Sequence, residues 1–250
     1  MVNTKGKWAL ITGASRGVGY ETAIFMAQQG CNLILHSRTL EHTKALEEEV
    51  KNLGVEVYSV QAELANHEEV VAMLDEIEAK GTQVDIVFNN AAVQIAYRTD
   101  YWNTPVEDFE QSFRINFISV VTICNRLIPK MIERGFGRVI NTTSGIRNEP
   151  EQAGYAASKA ALDKFTKDLA SRLEGTDVML NLTDPGWCRT DLGGPSAPND
   201  VKSVIPGIAI GAFVDDKKSG RFFPAQSFTG LSLEEAVVKA EQIEAQPHVI

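Results

Sequence analysis

The stretch GYAASKAAL, residues 154 to 162, sets a phenol and an ammonium four positions apart in a run of helix formers. On a helix, Tyr155 and Lys159 share one face, one turn apart. Two readings are open for such a pair. It packs and snorkels on a half-buried helix, or it is a proton donor beside the cation that tunes it. A free tyrosine has a pKa of about 10, and lowering it by about two units takes roughly 2.7 kcal/mol. A unit charge about 4 Å away supplies around 4 kcal/mol at an effective dielectric near 20. One ammonium is enough to make the phenol a general acid/base.

A second chemical feature lies near the start. The first apolar run leads straight into TGASRGVG, residues 12 to 19, and a helical pattern follows. Gly13, Gly17 and Gly19 let the backbone approach a ligand closely, and the helix behind them offers unpaired N–H groups to a pyrophosphate. Three glycines could also make only a tight turn; the strand before and the helix after raise the phosphate reading. Arg16 lies inside this loop, and Arg38 ends the second strand in HSR, where an NAD-binding chain carries an acidic residue for the ribose. A guanidinium there accommodates a 2′-phosphate. The expected cofactor is NADP rather than NAD.

The elements that must position these groups alternate regularly. KWALIT (7–12), NLILHSR (32–38), EVYSVQA (56–62), DIVFNN (85–90), GRVINTTS (137–144), VMLNLTD (178–184) and RFFPAQ (221–226) read as strands. Several are apolar almost throughout, as strands buried on both faces of a parallel sheet are. Helical patterns fall at 18–29, 40–53, 67–80, 106–134, 152–174 and roughly 201–213. This predicts an α/β fold with a doubly wound, mostly parallel sheet of about seven strands and helices on both faces. No repeat or linker interrupts the 250 residues, which are expected to form one domain. The Gly- and Pro-rich segment 187–205 reads as a loop that could act as a lid. Ser232 and Glu235 form a capping-box pattern that opens a final helix over 231–246.

A net charge of −9 argues against nucleic-acid or anionic-membrane partners. The N-terminal residues lack the apolar run of a secretory signal, and no stretch approaches membrane-spanning length, so a cytoplasmic location is expected. Cys31, Cys124 and Cys188 read as reduced thiols, and neither they nor the histidines His36, His42, His67 and His248 show metal-ligand or triad spacing. Those histidines read as ordinary surface or core residues.

Taken in chain order, TGASRGVG, NNAA at 89–92, Asn116 in FRINFISV, RVINTTS at 138–144, YAASK at 155–159 and PGWCRTD at 185–191 resemble the short-chain dehydrogenase/reductase family in its compact single-domain form. The resemblance covers residues 6 to about 190. It implies an NAD(P)-dependent oxidoreductase with a catalytic set of Asn116, Ser144, Tyr155 and Lys159. Tyr155 would be the acid/base, Lys159 would lower its pKa and hold the nicotinamide ribose, Ser144 would bond the substrate oxygen, and Asn116 would position a water. Eleven positions separate Ser144 from Tyr155, where the family often has about thirteen, and Thr142 is the alternative hydroxyl. Cofactor contacts would come from Gly13, Ser15, Arg16, Gly17, Val18, Gly19, Ser37, Arg38, Glu63 and Leu64 on the adenosine side. Asn90, Ala91, Ala92, Tyr155, Lys159, Pro185, Gly186, Trp187, Cys188 and Thr190 would line the nicotinamide side.

The substrate expected is a small or medium carbonyl compound or alcohol. Trp102 and Trp187 either line its pocket or pack in the core, and Tyr97, Arg98 and Tyr101 follow the fourth strand near the crevice where such sheets bind ligands. The apolar content of 106–134 and 152–174 suggests a homodimer or homotetramer. A non-catalytic NADPH sensor acting through a protein partner is the alternative function, against which the complete catalytic set argues.

Overall fold

The computed structural model describes residues 1–245. Seven parallel strands form one sheet in the order β3-β2-β1-β4-β5-β6-β7. They are β1 (Trp8–Ile11), β2 (Asn32–Ser37), β3 (Val57–Gln61), β4 (Val84–Asn89), β5 (Gly137–Thr142), β6 (Val178–Asp184) and β7 (Phe222–Pro224). Each falls within its expected run or one residue outside it, with β5 and β7 ending two residues early. The chain order reverses between β1 and β4, and a crevice opens at such a reversal, outside the carboxyl ends of the strands.

Side chains alternate between two cores because strand residues point to opposite faces. Ala9, Ile11, Leu33, Leu35 and Ile140 enter one core with α1 (Gly17–Gln28), α2 (Lys44–Asn52) and the segment 204–214. Leu10, Ile34, Val139 and Leu180 enter the other, against α3 (His67–Ala79), α5 (Ser119–Arg134) and α6 (Ala153–Ala170). Both faces of the sheet are thus covered, as a parallel sheet requires.

Several expected helices differ in detail. The run 106–134 is continuous but not uniform: α4 (Val106–Phe113) passes through one π-turn, Arg114–Ile118, before α5. It also corrects the expectation that no stretch reaches spanning length, since Val106–Arg134 holds an 18-residue window apolar enough to cross a bilayer, 44% of it buried. Its buried residues, among them Ile123, Leu127 and Met131, pack into the second core. The helix expected over 40–53 begins as a 3-10 turn, Leu40–Thr43, and α6 stops at Ala170 rather than 174. No α-helix forms at 201–213; two 3-10 turns stand there, Val201–Val204 and Gly207–Ala212. Pro206 interrupts the pattern, and packing is so close that a Cβ on Gly207 would lie 2.3 Å from the Ala225 carbonyl oxygen just after β7, and one on Gly211 2.8 Å from Ile140 of β5. The last helix, α7 (Leu233–Glu241), has the expected capping box but ends early, and position 246 lies outside the described residues.

Candidate active site

Helix α6 brings the opening pair together on its buried face. Its buried residues Tyr155, Ser158, Lys159, Leu162 and Thr166 follow helical spacing, so polar groups occupy positions where a structural helix carries aliphatic ones. Tyr155 is 8% and Lys159 3% exposed. The Lys159 Nζ lies 5.9 Å from the phenol ring centre and donates 2.7 Å to the Thr142 carbonyl at the end of β5. Burial lowers its pKa to about 8, while the charges of Asp163 and Asp184 hold its proton on.

Tyr155 departs from the expected tuning. Burial holds its phenol above the usual value, the Asp184 charge adds to that, and the Ser144 hydroxyl beside it pulls the other way. Desolvation is the largest of these influences. Ser144, rather than Thr142, is the hydroxyl that meets Tyr155; it also accepts from Ile146 N at 3.3 Å. The neighbouring Thr143 donates instead to Asp163.

Asn116 sits in the π-turn and is fully buried. Its Oδ1 accepts from Val93 N at 2.8 Å, and its Nδ2 donates to the Val93 carbonyl at 2.9 Å and to Ser158 Oγ at 3.0 Å. Both amide protons are therefore used on protein, and the side chain clamps the segment after β4 to α6. Ser158 in turn donates to the Tyr155 carbonyl at 2.7 Å, which links the clamp to the first turn of α6.

The glycine loop occupies the crevice between β1 and β4. Gly13 has φ +66, and a Cβ there would fall 2.9 Å from Ala91 Cα. A Cβ on Gly19 would meet the Gly13 carbonyl oxygen at 2.2 Å. No side chain caps α1, whose N-cap is Arg16 in extended conformation. An uncapped helix N-terminus under a close-packed glycine loop fits a pyrophosphate. Ser15, Gly17 and Val18 are partly exposed along this loop. Thr190 packs over Gly17, and Arg16 pairs with Asp191 at 2.7 Å, so the segment after β6 lies against the cradle.

NNAA is fixed to the same loop by Thr12. Its hydroxyl accepts from Asn90 N at 3.0 Å and Ala91 N at 3.1 Å, while Asn90 Nδ2 donates to the Thr12 carbonyl at 3.1 Å. Ala92 is not among the residues with positive φ. Around the adenosine side, Arg38 is exposed. Ser37 is buried and spends its proton on the Thr39 carbonyl at 2.6 Å. One Glu63 oxygen accepts from Ala65 N at 3.1 Å. Leu64 belongs to the second core, which makes it a packing residue as well as an expected contact.

On the other side, Gln226 Nε2 donates to the Pro185 carbonyl at 2.8 Å and supports the turn through Gly186. Cys188 is buried, and burial raises its thiol pKa, as suits a small packing residue. The loop 187–200 is stitched to itself: Trp187 donates to the Gly193 carbonyl at 2.7 Å, and Arg189 to the Pro198 carbonyl at 2.8 Å. Trp102 and Trp187 are 86% and 58% exposed, which rules out core packing for either. Tyr97 and Tyr101 are also exposed, whereas Arg98 pairs with Asp108 at 2.8 Å.

Two groups were not legible as site components. His36 is buried on β2, with Nδ1 accepting from Gly13 N at 3.2 Å and Nε2 facing the Ala62 carbonyl at 3.1 Å. It thus ties the glycine loop to the end of β3. Asn89 donates 2.8 Å to Asn141 Oδ1, and Asn141 donates 2.9 Å to Thr166, a buried relay joining β4, β5 and α6.

Comparison with known proteins agrees with this geometry. A family model described as short chain dehydrogenase matches residues 7–200. The 3-oxoacyl-(acyl-carrier-protein) reductase FabG of Aquifex aeolicus is 30% identical over 194 residues, 76% of this chain and 77% of the relative. Retinol dehydrogenase 13 of Mus musculus is 29% identical over 225 residues, 83% of this chain but 66% of that longer protein, just under two thirds of it. The solved structure of an NAD+-bound xylitol dehydrogenase is similar in fold, with TM-score 0.80 and 24% identity over 89% of this chain and 98% of the other.

Proposed function

The chain belongs to the short-chain dehydrogenase family of nicotinamide-dependent oxidoreductases, and on that premise we propose that it is an NADP-dependent carbonyl reductase or alcohol dehydrogenase with Tyr155 as its general acid/base. The observation that carries this reading is the convergence of Ser144, Tyr155 and Lys159 at the carboxyl edge of the sheet, the same edge at which the glycine loop follows β1.

When bound, the dinucleotide supplies the hydride. Gly13, Gly17, Gly19 and the α1 N-terminus would hold its pyrophosphate, Arg16 and Arg38 its 2′-phosphate, and the Pro185–Cys188 turn with Thr190 its nicotinamide end. In reduction, Tyr155 would give its proton to the substrate oxygen; in oxidation, it would take that proton back. Ser144 donates to the same oxygen and stabilises the charge that develops there. Lys159, with a pKa near 8, is substantially protonated at neutral pH and steadies the phenolate that remains after transfer. Asn116 keeps the segment after β4 against α6.

Tyr155→Phe tests the assignment directly. It removes the proton donor and keeps the ring, so turnover should fall by at least about a hundredfold. NADPH affinity, read by fluorescence titration, should stay close to that of the unaltered protein. A Phe variant that reduces aldehydes or ketones at the original rate would refute the role. NADPH binding without turnover of any carbonyl by the unaltered protein would favour the sensor reading instead.

A further inference from the structure

We propose that Asp184 is a positioning residue that locks the Ser144 turn to the nicotinamide-side turn and sets the charge next to Tyr155. Asp184 closes β6 directly before Pro185. Its Oδ1 accepts from Gly186 N at 2.8 Å and its Oδ2 from Gly145 N at 3.0 Å. The first bond holds the turn that would carry the nicotinamide, and the second holds the turn that carries Ser144. A carboxylate has an acceptor for each of these two N–H groups. An amide has only one, and would turn its own NH2 against the other.

The same carboxylate faces the proton-transfer pair. Its field reaches Tyr155 and Lys159 on α6, Asp163 one turn further along, and Cys188 in the following loop. Burial raises the Asp184 pKa, whereas its two N–H bonds and Lys159 pull it down. Ionised, it opposes loss of the proton from both Tyr155 and Lys159. Asp184 therefore couples alignment of the two turns to the pH at which Tyr155 stops being an acid. This inference rests on the proposed role of Tyr155.

The experiment compares Asp184→Asn and Asp184→Ser with the unaltered protein and Tyr155→Phe, using NADPH and 4-nitrobenzaldehyde as probes. Removing the charge should move the alkaline limb of the kcat/KM profile to lower pH by roughly one unit. Loss of one turn bond should weaken NADPH several-fold in fluorescence titration, a readout independent of turnover. The same limb shift in both variants supports the proposal. Profiles and NADPH affinities that superimpose on the unaltered protein overturn it, as does loss of a cooperative melting transition in both variants, which would make Asp184 purely a folding residue. If Tyr155→Phe still turns over, the functional reading fails. If that variant is dead while the Asn and Ser profiles are unshifted, only the Asp184 role fails.

Discussion

The buried imidazole of His36 makes a quantitative demand on how the protein responds to acid. Gly13 N can only donate, so the Nδ1 that receives it carries no proton, and Nε2 carries the hydrogen given to the Ala62 carbonyl. A second proton would set N–H against N–H at the glycine loop, inside a site 2% exposed. Burial accordingly lowers the His36 pKa from 6.5 to about 4, with the Ala62 carbonyl and the Glu63 charge opposing. Between those values the unfolded chain binds the proton and the folded one does not. The stability contribution is complete above the ordinary histidine value and is lost as pH falls toward about 4. A shift of this size corresponds to about 3 kcal/mol, a large part of a typical 5–15 kcal/mol domain stability. His36→Gln offers an acceptor and a donor without titrating in this range. Urea unfolding at a series of pH values should show the unaltered protein losing about 3 kcal/mol more than the Gln variant between neutrality and acid. Carboxylates common to both chains cancel in that difference. Parallel stability curves for the two proteins would refute the assignment of a buried neutral imidazole.

Arg38 supplies a second test. Arg38→Asp exchanges an exposed guanidinium for the kind of residue that binds a ribose hydroxyl pair. Loss of a charge-assisted bond of about 2 kcal/mol should lower the NADPH/NADH ratio of kcat/KM roughly thirtyfold, and an unchanged ratio would show that this arginine does not read the phosphate. We also propose self-association through the long helices, because Val106, Ile118 and Ile132 stay 67%, 45% and 41% exposed on the α4–α5 run. Light scattering should give a dimer or tetramer mass, and a monomer mass would reject the contact.

What could be read directly from the residues was whatever depends on local pattern. Apolar runs mark the strands because a strand covered on both faces tolerates little else, and the inner strands β2, β4, β5 and β6 are buried almost throughout. The Tyr155–Lys159 pair follows from four-residue spacing on one helix, and the glycine loop from its place between a strand and a helix. The segment 201–213 misled for the same reason. It is mostly apolar, as a buried helix would be, but Gly207 and Gly211 let the second tight turn press onto the neighbouring backbone and sheet where an α-helix would not fit.

Groups whose meaning depends on distant backbone were hidden. His36 reaches Gly13 and Ala62, 23 and 26 positions away, and Asp184 reaches Gly145 across 39. Nothing in the neighbourhood of either residue signals those partners, since any backbone N–H looks alike in a sequence. The electrostatics of Tyr155 was hidden more deeply. Spacing reveals that an ammonium is near the phenol, but the sign of the net effect depends on how much water is excluded and on where Asp163 and Asp184 lie. In the folded chain burial raises the phenol, with Asp184 adding to it, and lowers the ammonium against the pull of Asp163 and Asp184, the reverse of the simple pair. The residues around Tyr155 therefore do not by themselves make it a stronger acid. They hold a neutral phenol and a nearby lysine, still mostly protonated at neutral pH, in a dry site, where one further positive charge at the nicotinamide position would shift the balance far more than it could in water.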